Sequence, residues 1–593
     1  MLAVKPHIVA NISSALRSLT VWLSEPITAV VIALFSMLFG TIGYVADGYD
    51  YGEAAYRTVS FFVIQGFGDS KAGVNWMVET GRWLAVFVII TTTIRTVYAL
   101  TREYWQRLLL RTLRGHVVVC GLGEKGFRIT EDTHRQGKQV IVIERDPSNV
   151  LLDRVRDSGV VTILGDATDT SILQQARLAF ADSIYIASGD DAANAEIASQ
   201  VYRLTRLSKD AQRTYSRFAG DIPCFVHVID PVIGALIKSH EMYTRSDDML
   251  ELRLFNVYER GARYVLEHFP PDLYQPITPE TETSPHILIV GFQHIGQSIL
   301  RQCALTGHYA NGKNISATII ERNVNDIAHR FMYHYPAVEE FVDCDWIRIE
   351  PTLLDMQMIV AEHESTPFGV VYVALEDLTH SMYMAQRIND ALNGTIDIVL
   401  CMESSSRAKQ FYQQITHPRI HVVNFLQSFE QSLSLLHEPI DTFAMHLYEE
   451  EPQMTETSPS DAKQKEPWSL LEKELKDHYR NTVLHHAVQT RALQNMATLP
   501  PIPEDTSLTT SQLSTLAPME HRRYVAQLRL AGWKHGAILD TIRKENPYLT
   551  SFENLPQYEQ DDRTKYLKAV FISARMHMHT LHVHSKKQQI RNG

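Results

Sequence analysis

The chain has 593 residues, too many for one hydrophobic core, and domains of about 100–200 residues predict roughly three to five of them. Hydrophobic residues make up 45% of the chain and charged residues 21%, as in an ordinary globular protein, and the formal net charge is -12. Such an acidic chain is a poor binder of nucleic acid, because phosphates require a basic face. The five cysteines are scattered, with none in a C-x-x-C pair, which indicates reduced thiols, and no His/Cys spacing predicts a metal site.

The first candidate for a membrane span is a charge-free stretch from Pro26 to Ala46, long enough for a helix across a hydrocarbon core of about 30 Å. A signal peptide is the alternative, disfavoured by the late start and the lack of a small-residue cleavage site. Trp83–Thr101 is a second candidate span, interrupted by Arg95. Arginines cluster after it. By the positive-inside rule, everything downstream is then cytoplasmic, and two crossings put both termini on the cytoplasmic side of an inner membrane.

The loop between the two spans is more informative than the spans. Tyr51–Val63 is predicted to be a helix too short to cross, and a glycine-containing segment follows it. Backbone at membrane depth is tolerated where it lines a wet cavity, and its carbonyl oxygens can replace the hydration shell of a cation. G-F-G-D in this segment resembles the second half of the potassium-channel filter T-V-G-Y-G-D. The resemblance implies potassium as the permeant monovalent cation and a selectivity filter at Ile64, Gln65, Gly66, Phe67, Gly68 and Asp69.

Three residues depart from a simple potassium pore. Ile64 stands where the filter has threonine and Gln65 where it has valine, so a hydroxyl ligand is lost and the ion selectivity stays open. Arg95 would repel a cation if it faced the lumen; we favour the alternative, in which it snorkels to the cytoplasmic interface. An external loop that happens to contain G-F-G-D is the alternative to a pore.

The next segment has the pattern of a dinucleotide-binding domain. A buried-strand run at His116–Cys120 leads into G-x-G-x-x-G, formed by Gly121, Gly123 and Gly126, and a second strand ends at Glu144. Such glycines permit a tight turn and close approach of a pyrophosphate to a helix N-terminus, while the carboxylate takes ribose hydroxyls. The alternation of apolar runs and helices continues and predicts a doubly wound parallel sheet. A Rossmann turn that binds nothing is the alternative.

This segment also resembles the TrkA-N, or RCK, domain that regulates potassium channels and transporters. The resemblance rests on G-D-A-T-D at residues 165–169 and A-D-S-I-Y-I-A-S-G-D-D-A-A-N at residues 181–194. It implies a nucleotide ligand, NAD(H) or an adenine nucleotide, at a site lined by Gly121, Gly123, Gly126, Glu144, Asp166 and Ala167. Arg145 either meets a phosphate or is solvated. We see no arrangement of nucleophile, base or metal, and therefore expect no enzyme.

The same pattern begins again in the second half of the chain. Val232–Phe269 is predicted to be a helical dimerisation and crossover segment, and Pro270–Pro285 is a linker rich in proline and threonine. A strand at His286–Val290 opens a second glycine turn, and Asp343–Asp345 takes the place of the earlier G-D-A-T sequence. These features indicate an internal repeat of one domain.

The second copy is degenerate. Gln293 replaces the middle glycine of the turn, where a side chain obstructs close approach of a ligand. We favour a structural role for this copy over a site for a different ligand. Two such domains in each of four subunits would complete the closed gating ring of the RCK family, so the resemblance implies a homotetramer.

The C-terminal region is predicted to be a separate helical module behind a charged linker at Glu449–Pro467. E-H-R-R-Y, L-A-G-W-K-H-G and F-E-N-L-P within residues 520–556 resemble the ryanodine-receptor (RyR) repeat domain of prokaryotic proteins, although Tyr524 stands where tryptophan is usual. The resemblance covers about residues 518–570 and implies a nucleotide-derived ligand. Candidate contacts are Glu520, Arg522, Arg523, Trp533, Lys534 and Arg563. A core tryptophan among surface charges is the alternative.

The predicted fold class is a membrane α domain, two tandem Rossmann-like α/β domains and a small α-helical domain. The segments are an N-terminal cytoplasmic segment (1–25), a two-helix pore domain (26–101) with its pore loop (51–70), a basic linker (102–114), two RCK domains (115–270 and 285–448), a linker (449–467) and a C-terminal helical region (468–593). We expect a subunit of a ligand-gated, potassium-like channel in the lipid bilayer. The alternative is a membrane-anchored nucleotide sensor without a conducting pore.

Overall fold

The structure is a computed structural model that describes residues 26–63, 75–110, 113–212, 222–240, 250–351, 355–403, 417–426, 440–454, 466–468, 471–496 and 508–592. The chain divides into two compact units, Met1–Leu113 and Arg114–Gly593. The predicted filter at residues 64–69 and the N-terminal segment at residues 1–25 lie outside the described residues.

The described part of the first unit contains three α-helices, α1 (Pro26–Ala46), α2 (Tyr51–Val59) and α3 (Trp76–Leu110), and a short 3-10 helix at Ser60–Phe62. Two stretches are long and apolar enough to cross a membrane, Ile27–Ala46 with a mean hydropathy of 2.1 and Trp76–Val97 with 1.4. Two apolar helices near the N-terminus were therefore predicted correctly, and so was the short helix between them.

The predicted start of the second span was wrong. Its helix begins at Trp76 rather than Trp83, and the two charged residues that the prediction left out, Glu79 and Arg82, form an ion pair of 2.9 Å within it. The helix also continues to Leu110, so most of the predicted basic linker is helical.

The two long helices approach closely through small residues. The Ser36 hydroxyl donates a hydrogen bond of 2.7 Å to the Gly81 carbonyl, and a Cβ at Gly81 would lie 3.0 Å from the Gly40 nitrogen. The short helix α2 packs there too, since a Cβ at Gly40 would lie 2.6 Å from Thr58 Cγ2. Small residues at helix interfaces permit such contacts within a bilayer, where the hydrophobic effect does not draw helices together.

The first α/β domain has a six-stranded parallel sheet in the order β3-β2-β1-β4-β5-β6, the order of dinucleotide-binding folds. Its strands are β1 (His116–Cys120), β2 (Val140–Glu144), β3 (Val161–Leu164), β4 (Ala181–Ile186), β5 (Ile222–His227) and β6 (Leu250–Phe255). Its helices are α4 (Glu124–Arg135), α5 (Leu151–Asp157), α6 (Thr170–Gln175), α7 (Asp191–Gln212) and α8 (Pro231–Ser239). The next helix, α9 (Val257–His268), follows β6, and its buried residues belong to the core of the second α/β domain.

The prediction that Val232–Phe269 is wholly helical was wrong. Its middle contains β6, which pairs in parallel with β5 and completes the sheet. Leu250 and Leu252 are buried while Glu251 and Arg253 between them are half-exposed, and this alternation of period two is typical of a strand rather than a helix.

The second α/β domain repeats the first strand for strand, in the order β12-β11-β10-β7-β8-β9. Its strands are β7 (His286–Val290), β8 (Ile315–Glu321), β9 (Val342–Arg348), β10 (Phe368–Val373), β11 (Asp397–Met402) and β12 (Ile420–Asn424). Its helices are α10 (His294–Thr306), α11 (Val324–His334), α12 (Met356–Glu362) and α13 (Leu378–Ala391). The internal repeat is thus confirmed in the fold.

The predicted counterpart of the G-D-A-T sequence in the second copy was misplaced. Asp343–Asp345 lies inside β9, opposite Ser316–Thr318 of β8. Because β9 has seven residues and β3 has four, the position that follows the strand is reached later, at Ile349–Glu350. Strand length, which the local sequence does not mark, decides this register.

The C-terminal region consists of α14 (Asp441–Met454), α15 (Lys473–Asn495), α16 (Thr510–Leu530), a short ladder of β13 (Lys534–His535) with β14 (Glu545–Asn546), and α17 (Gln557–Asn592). It is not the separate module that the sequence predicted. Ile299 and Leu300 of α10 share one hydrophobic core with Val488, Leu516 and Phe571. Since an apolar face must be buried against some partner, these helices complete the second α/β domain.

Polar contacts also join the C-terminal helices to the second α/β domain. Arg491 of α15 holds Asp272 through two hydrogen bonds of 2.7 and 2.8 Å, and Gln302 donates to Asn481 at 2.9 Å. The Asp272 and Asn481 side chains are buried, so separation of the parts would expose both apolar surface and unsatisfied polar groups.

Candidate functional site

The turn after β1 contains glycines of two kinds. Gly121 has φ +94°, and a Cβ at Gly126 would lie 1.9 Å from the Gly121 carbonyl oxygen, so the fold itself requires both. Gly123 has φ -70°, and a Cβ there would meet no described atom within 4 Å. The fold leaves the space beside Gly123 open, directly at the N-terminus of α4, where unpaired N–H groups favour an anion.

Glu144, at the end of β2, is held over this turn by two backbone groups. The Leu122 N–H donates to its Oε2 at 2.7 Å, and the Asp146 N–H donates to its Oε1 at 2.8 Å. A carboxylate oxygen accepts more than one hydrogen bond, so Glu144 keeps acceptor capacity for a ligand hydroxyl.

Asp166 and Arg145 lie at the same edge of the sheet, after β3 and β2. Hydrogen bonds from the backbone and side chain of Thr168, at 2.9 and 2.8 Å, lower the pKa of Asp166, with a smaller contribution from Arg145. The Arg145 guanidinium lies 3.6 Å from Asp166 and is 80% exposed, so an anion can compete for it. Ala167 is buried beneath the loop. The structure therefore gathers the predicted site residues at the carboxyl ends of three adjacent strands.

The second copy preserves everything that the fold requires of this turn. Gly291 has φ +93°, and the Phe292 N–H donates to Glu321 at 2.9 Å. Arg322 lies 3.6 Å from Glu350, the same distance as Arg145 from Asp166 in the first copy. Gln293 alone breaks the pattern, at the one glycine position that the fold leaves open. Only the first copy therefore retains the glycine that would serve a ligand.

Lys125, between Gly123 and Gly126, is a functional candidate that the sequence pattern did not single out. Its Nζ lies 3.2 Å from Glu403 Oε1 of the second domain, and the Tyr258 hydroxyl donates to Glu403 Oε2 at 2.8 Å. Burial, with the nearby carboxylate of Glu403, raises the pKa of Tyr258, so this phenol stays protonated. The partner of Lys125 is distant in the chain, and only its place within the turn hinted at a role.

Three of the six residues predicted to contact a ligand in the C-terminal region are engaged inside the protein. Burial by itself would raise the pKa of Glu520, but the charge of Arg523 and a hydrogen bond with His485 lower it to about 2. Glu520 and Arg523 are both buried and lie 2.7 Å apart. Arg522 donates to the Gly312 carbonyl and to another group of the second domain. These contacts give the three side chains structural roles.

The other three predicted residues are more accessible. Trp533 is half-buried and Lys534 is exposed, both at the start of the β13–β14 ladder. The Arg563 guanidinium lies 3.8 Å from the centre of the Tyr524 ring, over the residue that replaces the usual tryptophan. A ligand role for Trp533, Lys534 and Arg563 stays a prediction.

Sheet order and turn geometry define a class, tandem α/β domains of the dinucleotide-binding type. Residues 117–217, which include β1 to β4, match the TrkA-N domain. The chain is 25% identical over 190 residues to Potassium channel protein 1 of Methanocaldococcus jannaschii, and 23% identical over 264 residues to an uncharacterised protein of Methanothermus fervidus. These matches cover 30% and 39% of this chain, and 56% and 40% of the relatives' own lengths.

Among solved structures, similar ones are the GsuK channel (15% identity, 66% of this chain and 92% of that chain, TM-score 0.38) and the GsuK channel bound to NAD (14%, 70% and 85%, TM-score 0.38).

Proposed function

We propose that this chain is a subunit of a nucleotide-regulated, potassium-channel-like membrane protein. The observation that carries the proposal is Gly123, a glycine that the fold does not need, beside the N-terminus of α4 and below Glu144. The TrkA-N match, the similarity to a potassium channel protein and the two apolar helices support it. The ligand is NAD(H) or an adenine nucleotide.

In this proposal the first unit supplies one quarter of a pore. The helices α1 and α3 cross the bilayer, α2 serves as the pore helix, and Ile64–Asp69 forms the filter of a homotetramer. Both termini are cytoplasmic. A helix of the length of α2 cannot cross the bilayer, and its tight packing at Gly40 supports a fixed role between the two spans.

Regulation of the pore would begin at the glycine turn after β1. A ligand phosphate binds the N–H groups at the start of α4 and draws on Arg145, while Glu144 takes a ribose hydroxyl. Lys125 lies in the same turn and contacts Glu403 of the second domain, so phosphate binding would alter the contact between the domains. A nucleotide shifts the gate only if it binds one arrangement of the domains more tightly than the other.

The test is ion flux from liposomes that contain the purified full-length protein, with NAD+, NADH, ATP, ADP and AMP as added ligands. We expect flux that depends on a nucleotide, that disappears in Gly66→Ala and that loses its nucleotide dependence in Gly123→Val. Absence of flux with every ligand, from protein that still binds nucleotide, would refute the channel.

The second candidate function is a membrane-anchored nucleotide sensor without a conducting pore. Ile64 and Gln65 in the proposed filter favour it, and so does Arg95, which lies within the apolar stretch Trp76–Val97. A dimer in detergent would favour the sensor, whereas a tetramer would favour the channel. In either case the C-terminal region, through Trp533 and Arg563, is proposed to bind a second, nucleotide-derived signal.

A further inference from the structure

A cleft of about 310 Å³ lies between the two α/β domains. The first domain lines it with residues that follow β4 and β5, including Asp191 and Asp230. The second lines it with Gln293, with Arg301 and with the outer part of α11. Neither the glycine turn of the first domain nor Glu144 takes part, so this cleft is distinct from the proposed nucleotide site.

The acidic side chains of the cleft are already engaged. Asp191 Oδ2 accepts from the backbone N–H groups of Ile229 and Asp230, each at 2.7 Å. Asp230 in turn caps α8 through the Val232 N–H at 2.7 Å. Glu259 lies between Arg301, at 3.0 Å, and Lys473. Each of these carboxylates therefore already has a hydrogen-bond or ion-pair partner within the protein.

Three nitrogens at the cleft, by contrast, are unpaired or only weakly paired. Arg301 Nε and His334 Nδ1 are buried and have no hydrogen-bond partner among the described residues. Arg330 is exposed, and its Nε makes only a long bond, 3.4 Å, to a backbone carbonyl within its own helix. Gln293 precedes the first turn of α10 without a side-chain capping bond, so that helix N-terminus also faces the cleft uncapped.

We propose that this cleft binds a phosphate-bearing ligand of the size of a mononucleotide. The exposed guanidinium of Arg330 and the uncapped N-terminus of α10 favour an anion. The volume is at the lower end of the ~300–1,000 Å³ typical of small-molecule sites, too small for a dinucleotide. Half-buried Tyr335 offers a ring against which a base packs. Gln293, which blocks backbone approach of a dinucleotide, becomes a hydrogen-bonding group for this smaller ligand.

The test uses detergent-solubilised full-length Gly123→Val protein, so that binding at the first turn is removed and failure of the nucleotide site cannot affect the result. AMP, inorganic phosphate and adenosine are titrated calorimetrically. We expect AMP to bind once per chain, inorganic phosphate to bind more weakly, and adenosine to bind at least tenfold more weakly than AMP. Arg330→Gln should weaken AMP binding about tenfold or more, as expected when a charged hydrogen bond is lost. Arg330→Lys should weaken AMP binding less.

Arg322→Gln is the matched control, an exposed arginine of the same domain that does not line the cleft. It should bind AMP like its parent, and thermal denaturation should show all variants folded. Equal AMP binding by Arg330→Gln and its parent would overturn the proposal, as would equal binding of adenosine and AMP. Loss of AMP binding in Arg322→Gln alone would place the ligand at the end of β8, beside Glu321, instead of in the cleft. No AMP binding to the Gly123→Val protein would exclude the cleft as a site.

Discussion

The substitution Gly123→Ala separates the demands of the fold from those of a ligand. A Cβ at this position meets no described atom within 4 Å, and the backbone angle suits any residue. Alanine stabilises a compatible glycine position by about 0.4–1 kcal/mol through the unfolded chain. At the residue that caps a helix it is less favourable than glycine, by an amount of similar size. We therefore expect the stability to change by no more than about 0.5 kcal/mol.

The comparison is Gly126→Ala. Its Cβ would lie 1.9 Å from the Gly121 carbonyl oxygen, so α4 must move away from β1. Overpacking of this kind costs about 1–3 kcal/mol or more. Gly234→Ala is the neutral control, since a Cβ there makes ordinary contacts of 3.8 and 3.9 Å.

Nucleotide binding should be strongly weakened by substitution of Gly123, the position at which substitution hardly changes stability. At Gly123 a side chain occupies the space that a phosphate needs, and the loss of one charged hydrogen bond, about 1.5–3 kcal/mol, weakens binding tenfold or more. Calorimetric titration with NAD+ and ATP, alongside thermal denaturation of the same samples, measures both quantities. Unchanged affinity in Gly123→Ala and Gly123→Val, or a loss of stability as large as in Gly126→Ala, would refute the reasoning.

In the first unit, Gly40→Leu should cost about 1–3 kcal/mol and lower the melting temperature in detergent, because even a Cβ there lies 2.6 Å from Thr58. Lys125→Met removes the 3.2 Å contact to Glu403, and we expect nucleotide-induced protection of residues 397–403 from hydrogen exchange to disappear, with a stability loss of about 1 kcal/mol. The third of these predictions concerns the pH dependence of stability. The pKa of Glu520 falls from its usual 4.5 to about 2 in the folded protein, so its stabilising contribution is present above pH 4.5 and is lost as the pH falls towards 2. Glu520→Gln should therefore be about 3 kcal/mol less stable at pH 7, with a flatter acid limb in denaturation curves.

Each of these has a matched control. Met37→Leu changes an exposed position on the same helix as Gly40, and Lys138→Met breaks an exposed ion pair within the first domain. Glu553→Gln neutralises an exposed carboxylate of the same C-terminal region. A control that behaves like its test variant would contradict the corresponding argument, as would an acid limb in Glu520→Gln identical to that of the native protein.

Much of the architecture could be predicted because its causes are local. A charge-free apolar stretch of the length of Pro26–Ala46 has few options other than a buried or membrane-spanning helix. The glycine spacing after His116–Cys120 and the acidic residue at the end of the next strand mark a dinucleotide-type turn wherever they occur. The repeat of that pattern from His286 onwards predicted two domains of one kind, and the two sheets have the same strand order.

The tertiary structure alone decided how the parts cooperate. It separated Gly123, free of any steric demand, from Gly121 and Gly126, which the backbone requires. It joined Lys125 to Glu403, and it merged the C-terminal helices with the core of the second domain. The physical reason is common to all of these. Pattern and spacing report what a residue does to its own helix or strand, whereas contacts and cavities arise between residues far apart in the chain, whose proximity no local pattern encodes.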